Sequence, residues 1–293
     1  MATEQLGFEG MPKRLYPCTP SRLATWLDCP RRYRMTYLDR PKPEKGPPWA
    51  HNSVGASVHN ALAGWWRLAQ ADRTPASAGR LLDRGWLTDG FRDPAQSAEW
   101  RQRARDMVER YVVGLDPADE PVGVERTVSM KTHVITVQGR IDRLDRRGAE
   151  LVVVDYKTGR RPLTGDDARS SLALALYAAA AGRMMRTPCR LVELHHLPTG
   201  QVAIWEHTEE SLGRHLRRAE DIAAECGEAD EWYREKVPPG APLVPNRPHA
   251  DFDAMFPPRT GALCAWCDYV RHCPEGRQAA PAREPWSALP DEV

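Results

Sequence analysis

The stretch LVVVDYK at 151–157 constrains the fold more than any other part of the chain. Leu151 to Val154 are continuously apolar and rich in valine, too short a run for a helix and too unbroken for a half-exposed strand. A strand buried on both faces reads this way, and such strands sit centrally in sheets covered by helices. The preceding residues 122–130 and 133–142 alternate polar and apolar, as strands do, and Gly148 supplies a hairpin turn before the central run. An Ala/Leu-rich helix follows over about 167–186, then strands at 190–197 and 201–207 separated by Pro198, Thr199 and Gly200. The order predicts an α/β core with its third strand central.

Residues 1–20 read as an irregular arm. Ser21 is the expected cap of a helix running to about Leu38, with Arg31, Arg32 and Arg34 on one face. PKPEKGPP breaks the chain, Val54 to Gln70 reads as a second helix, and further helices are expected near 76–89 and 95–114. A charged helix covers about 208–235, and the Pro-rich remainder holds a group of cysteines. The predicted organisation is a single domain over 1–293: a helical N-terminal part at about 21–115, an α/β core at 120–207, a C-terminal helix and cysteine segment at 208–280, and a flexible tail at 281–293.

Lys plus Arg total 41 against 40 for Asp plus Glu, a formal net charge of +1, so any nucleic-acid surface must be a local patch. The first residues, MATEQLGFEGMPKR, contain no apolar signal core, and the longest apolar run, Leu172 to Ala181, is too short to span a bilayer. A cytoplasmic protein without membrane association is expected. The chain has no GxxxxGK[ST] pattern and so is not itself a helicase motor.

Chemistry concentrates at strand ends. Asp142 lies in GRIDRLD, and Asp155 and Lys157 close the central strand. Residues i and i+2 of a strand share a face, so Asp155 and Lys157 lie together and a hairpin partner brings Asp142 beside them. Paired carboxylates at a core edge repel and are costly to desolvate, which a divalent cation relieves; their hard oxygens suit Mg²⁺ or Mn²⁺. Beside such an ion, Lys157 can hold a water aimed at phosphorus and offset developing charge. The plainer reading is a solvated Asp155–Lys157 ion pair, and these three residues alone do not exclude it. His59, in GASVHN, is either a fourth ligand or a hydrogen-bonded structural group. Glu125 is either a ligand or the partner of a nearby arginine.

Seven cysteines are present, an odd and unevenly spaced set that argues against a disulfide framework. Cys264, Cys267 and Cys273 form C-x2-C-x5-C, and Cys29 is the natural fourth ligand of a metal site joining the first helix to the C-terminal segment. Zn²⁺ and a four-cysteine cluster both fit that count. A redox dithiol would need a strand before the CxxC, and none is evident in PPRTGAL. Cys18, Cys189 and Cys226 are read as unligated.

Taken jointly and in order, SRLATWLDCPRRY, VGASVHNAL, GRIDRLD, VVDYKTG and CAWCDYVRHCPEG resemble the RecB-like members of the PD-(D/E)XK nuclease superfamily. Within them, the iron–sulfur group of the AddB nuclease domain and the CRISPR-associated exonucleases is the most similar. The resemblance implies a restriction-endonuclease-like core with a mixed sheet flanked by helices. It implies metal ligation by His59, Asp142, Asp155 and the main-chain carbonyl of Tyr156, with Lys157 catalytic. It implies a [4Fe–4S] cluster on Cys29, Cys264, Cys267 and Cys273. The family pattern also has a glutamine four residues before a tyrosine on the following helix; SSLALALYAAA supplies Tyr177, but Ala173 stands where the glutamine would be.

The expected function is therefore Mg²⁺- or Mn²⁺-dependent hydrolysis of DNA phosphodiesters, as an exonuclease of repair, recombination or CRISPR-type processing. The expected substrate is single-stranded DNA or DNA with single-stranded ends, and a helicase, recombination or CRISPR protein is the expected partner. Arg31, Arg32, Arg34, Arg140, Arg143, Arg160 and Arg161 are the basic residues available to hold it. The competing class is a weakly active or inactive nuclease-fold module that binds DNA or protein, stapled by a four-cysteine metal site.

Overall fold

The computed structural model describes residues 15–237 and 250–290. A short strand β1 (Tyr16–Cys18) leads into α1 (Pro20–Asp28), a further turn α2 (Pro30–Tyr33) and a wide helical turn over Arg34–Leu38. Three helices follow: α3 (Ala50–Trp66), α4 (Pro75–Arg84) and α5 (Pro94–Val113). Then come β2 (Gly123–Lys131), β3 (Ile135–Arg147) and β4 (Glu150–Lys157), followed by α6 (Gly165–Ser170) and α7 (Leu172–Met185). Strands β5 (Cys189–His196) and β6 (Gln201–Glu206) precede the long α8 (Glu209–Lys236), and α9 (Ala250–Met255) and α10 (Pro274–Ala279) close the described chain. No helix among the described residues is long and apolar enough to cross a membrane.

The fold is a mixed α/β sheet in the order β1-β3-β4-β5-β6, with β2 also paired to β3. β4 runs antiparallel to β3 and parallel to β5, which makes it central. Its continuous apolar run has the predicted cause. Leu151 and Val153 pack into a core beneath α7, α8 and α1, while Val152, Val154 and Tyr156 pack into a second core beneath α3, α4 and α5. Gly148, at φ +60, makes the β3–β4 turn, a conformation glycine adopts at little cost.

The sequence misplaces several boundaries. Thr19, not Ser21, caps α1, accepting a hydrogen bond from Arg22 N at 3.1 Å, with Pro20 as the first helical residue. The helix expected to reach Leu38 breaks at Cys29, because Pro30 has no N–H to continue it. The helix expected over 167–186 is two, split at Ser171, whose side chain caps α7. Residues 16–18, expected in the arm, form β1; residues 1–14 lie outside the described residues. Where a flexible tail is expected, Leu289 is buried and Trp286 packs with it against the α3–α5 core, and Ala50 N donates to Pro285 O at 3.1 Å.

Candidate active site

Side chains from α3, β2, β3 and β4 converge where β4 ends. Val54, Val58, Ala61, Leu62 and Trp65 bury one face of α3, and His59, next to Val58, emerges at the rim. Its Nδ1 lies 3.3 Å from Asp142 Oδ1, and its Nε2 lies 3.2 Å from the main-chain oxygen of Tyr156. The other Asp142 oxygen accepts a hydrogen bond from Tyr156 N at 2.9 Å.

Glu125 joins them. One ligand atom from each of His59, Glu125 and Asp142 falls within 4.8 Å of the other two. Glu125 has φ +50, in the left-handed region that costs a non-glycine residue on the order of 1–3 kcal/mol. The β2–β3 register passes from Val124↔Arg143 to Arg126↔Ile141 around it. Arg140 Nε also lies 2.8 Å from Glu125 Oε2, so the glutamate has an arginine partner as well as a place in the donor group. A left-handed backbone at one glutamate leaves no mark in polar–apolar patterning, so sequence alone could not rank it.

Asp155 sits slightly apart. Lys157 Nζ lies 2.5 Å from Asp155 Oδ2, yet that buried oxygen receives no hydrogen bond of normal geometry. The contact is a charge pairing without alignment, not a satisfied hydrogen bond. Burial raises the Asp155 pKa and the Asp142 charge adds to it, while Lys157 opposes both. At His59, burial disfavours the imidazolium, but Asp142, Asp155 and Glu125 together outweigh it and raise its pKa. Three carboxylates thus face one lysine, one arginine and one imidazole, and one buried Asp155 oxygen lacks an aligned donor. Hard carboxylate oxygens and an imidazole gathered this closely fit a divalent cation.

Tyr177 faces the same group. Burial, then the charges of Asp155 and Asp142, push its phenol up to about 12, so it stays neutral. Its ring lies on Gly139, where a Cβ would sit 2.2 Å from Tyr177 Cε1.

Beneath the site, Tyr156 works in two directions. Its main chain contacts His59 and Asp142, while its hydroxyl accepts from Trp66 Nε1 at 3.3 Å and from Arg143 Nη1 at 3.4 Å. Arg143 also donates to Tyr111 Oη at 3.3 Å and to Asp145 Oδ2 at 3.1 Å. At 4% exposure it is a buried anchor, which corrects its expected place on a DNA-binding surface. Removing it takes the close counter-charge from Asp145 and a donor from each of two phenols, so Arg143→Ala should lower unfolding free energy by about 3 kcal/mol, read by urea denaturation. Arg31 is likewise buried, ion-paired to Asp253 and Glu275, whereas Arg140, Arg160 and Arg161 are exposed.

At the C-terminal end of α1, Cys29, Cys264, Cys267 and Cys273 line one cavity of about 40 Å³ with Arg31, Arg32 and Arg259. Cys29 sits at the α1–α2 break, and Cys273 caps α10, its Sγ accepting from Gly276 N at 3.3 Å. Arg259 N donates to Cys29 Sγ and Arg31 Nη1 to Cys273 Sγ, each at 3.5 Å. Thiols ringed by N–H donors and guanidinium groups fit an anionic metal–thiolate centre. Cys18, Cys189 and Cys226 are buried in the core.

The PD-(D/E)XK nuclease superfamily model matches residues 17–274. No curated protein matches. Among solved structures, a candidate exonuclease from Eubacterium rectale shares 10% identity at a TM-score of 0.46, covering 86% of this chain and 98% of its own. The structure of SSO0001 shares 14% identity at a TM-score of 0.35, covering 91% of this chain and 90% of its own. These two similarities are too distant to bear on function. With the family model spanning strand ends, helices and cysteines alike, the chain belongs to the PD-(D/E)XK nuclease superfamily.

Proposed function

We propose that the chain is a Mg²⁺- or Mn²⁺-dependent deoxyribonuclease, acting as an exonuclease on single-stranded DNA or single-stranded ends. The observation that carries this is the meeting of His59, Glu125 and Asp142 within 4.8 Å, beside Asp155 and Lys157, in a chain of this superfamily. His59, Asp142, Asp155 and the Tyr156 carbonyl would hold the ion, with Glu125 within reach. A divalent ion there supplies Lewis-acid polarisation of the phosphodiester and lowers the pKa of a bound water. Lys157 offers an ammonium donor to orient the attacking water and to offset charge on the phosphoryl oxygens. Tyr177, held neutral, can donate a hydrogen bond to the strand. The single nuclease domain would run the length of the chain and act with a helicase, recombination or CRISPR-type partner.

Cys29, Cys264, Cys267 and Cys273 would hold a [4Fe–4S] cluster in a structural role. What supports a metal–thiolate centre there is the lining: the four thiols share one cavity with Arg31, Arg32 and Arg259, whose charge would offset that of the thiolates.

Single- and double-stranded DNA incubated with Mg²⁺, Mn²⁺ or EDTA tests the reading. Cleavage should require metal, and Asp142→Asn should lose both cleavage and calorimetric Mn²⁺ binding. Cleavage in EDTA, or undiminished cleavage by Asp142→Asn, would sink it.

A further inference from the structure

The sheet has a gap at the site. β1 pairs with β3 only as far as Val137, and the β4 pairing begins at Arg143. Between these points β2 covers one edge of β3. Its other edge, 138–142, has no strand partner among the described residues. Ser21, at the start of α1, stands at one end of this notch and Asp142 at the other, with Thr127, Gln138, Arg140 and Tyr177 lining a cleft of about 420 Å³.

Gln138, Arg140 and Asp142 alternate along β3, so successive side chains of this row are about 7 Å apart. That is the reach of one nucleotide in an extended strand. Arg140 is 70% exposed, with its Nε 2.8 Å from Glu125 Oε2. Gln138 is exposed and makes no side-chain hydrogen bond among the described residues.

We propose that this notch seats the single-stranded segment adjoining the scissile phosphate, with Arg140 and Gln138 as its phosphate-backbone contacts. Gly139, between them, faces the opposite side of β3, where a Cβ would meet the Tyr177 ring. The inference rests on the nuclease reading and assigns the substrate-positioning part of that same site.

The test is binding without cleavage. Each variant is made in the Lys157→Ala background, and a fluorescent single-stranded oligonucleotide and a blunt duplex are titrated by anisotropy in Ca²⁺. Gln138→Ala and Arg140→Ala should each weaken single-strand binding about tenfold, and Arg140→Ala should lower the salt slope by about one. Gln138→Glu should weaken it further by repelling phosphate. Blunt-duplex binding should change less than about twofold. Because Arg140 touches Glu125, Mn²⁺ affinity is measured for each variant and should match the background protein. Unchanged single-strand affinity in Gln138→Ala and Gln138→Glu, or equal losses on duplex, would overturn the notch. Failure of the nuclease reading shows separately, as absence of metal-dependent cleavage by the unsubstituted protein.

Discussion

Lys157→Ala should cut DNA cleavage by about 10³-fold while leaving oligonucleotide affinity within about twofold. Removal of one preorganised donor to a developing oxyanion costs roughly 10²–10³ in turnover, and Lys157 is the cation paired with Asp155 at the end of β4. The variant also separates the two readings that the DYK triplet leaves open. If Lys157 only neutralised Asp155, its loss would lower stability and leave cleavage of the surviving fold intact. If it serves at a metal centre, the buried Asp155 oxygen, already without an aligned hydrogen bond, loses its counter-charge and depends wholly on the cation. Added Mn²⁺ should then raise the melting temperature of the variant more than that of the parent. A variant that cleaves at the parent rate assigns Lys157 to structure alone.

The parts of the site that follow from strand periodicity are legible in the sequence, and those that follow from backbone detail are not. β4 declares itself because burial on both faces leaves only apolar residues at Leu151–Val154. Once it is central, i and i+2 spacing delivers Asp155 and Lys157 to one face, and the Gly148 turn brings Asp142 alongside. His59 is reachable because helical spacing places it beside Val58 at the edge of a buried stripe. Glu125 is ambiguous because its role depends on a positive φ that no pattern encodes. β1 is invisible because Tyr16–Cys18 is too short to show alternation and is ordered by parallel pairing with residues 135–137. Arg143 reads as a surface cation, since its burial depends on Tyr111, Asp145 and Tyr156 arriving from three elements. The α1 cap at Thr19 is within reach, because a proline at the first helical position points to the residue before it.

Substituting Cys29, Cys264, Cys267 or Cys273 should affect stability as strongly as Lys157→Ala affects turnover, if the four hold the proposed centre. Cys29 and Cys264 are separated by 235 residues of sequence, so a centre bridging them closes nearly the whole chain into a loop. By analogy with cross-linking of the unfolded state, that closure is worth about 5 kcal/mol as an order of magnitude. The affected contacts are specific. Arg31 ties α2 to α9 and α10 through Asp253 and Glu275 and also donates to Cys273, and Arg259 N donates to Cys29, so the thiols sit within the contacts that join the first helices to the C-terminal segment. Cys29→Ser or Cys273→Ser, purified anaerobically, should lose the brown colour and the absorbance near 400 nm expected of the parent. At roughly 2–4 °C per kcal/mol for a domain of this size, the melting temperature should fall by about 10 °C or more. Cys189→Ser, in the core away from the cavity, should keep the chromophore. A colourless parent carrying one zinc per chain would replace the cluster with a four-cysteine zinc staple. It would leave the His59, Asp142 and Lys157 chemistry untouched, since none of those residues lines the cysteine cavity.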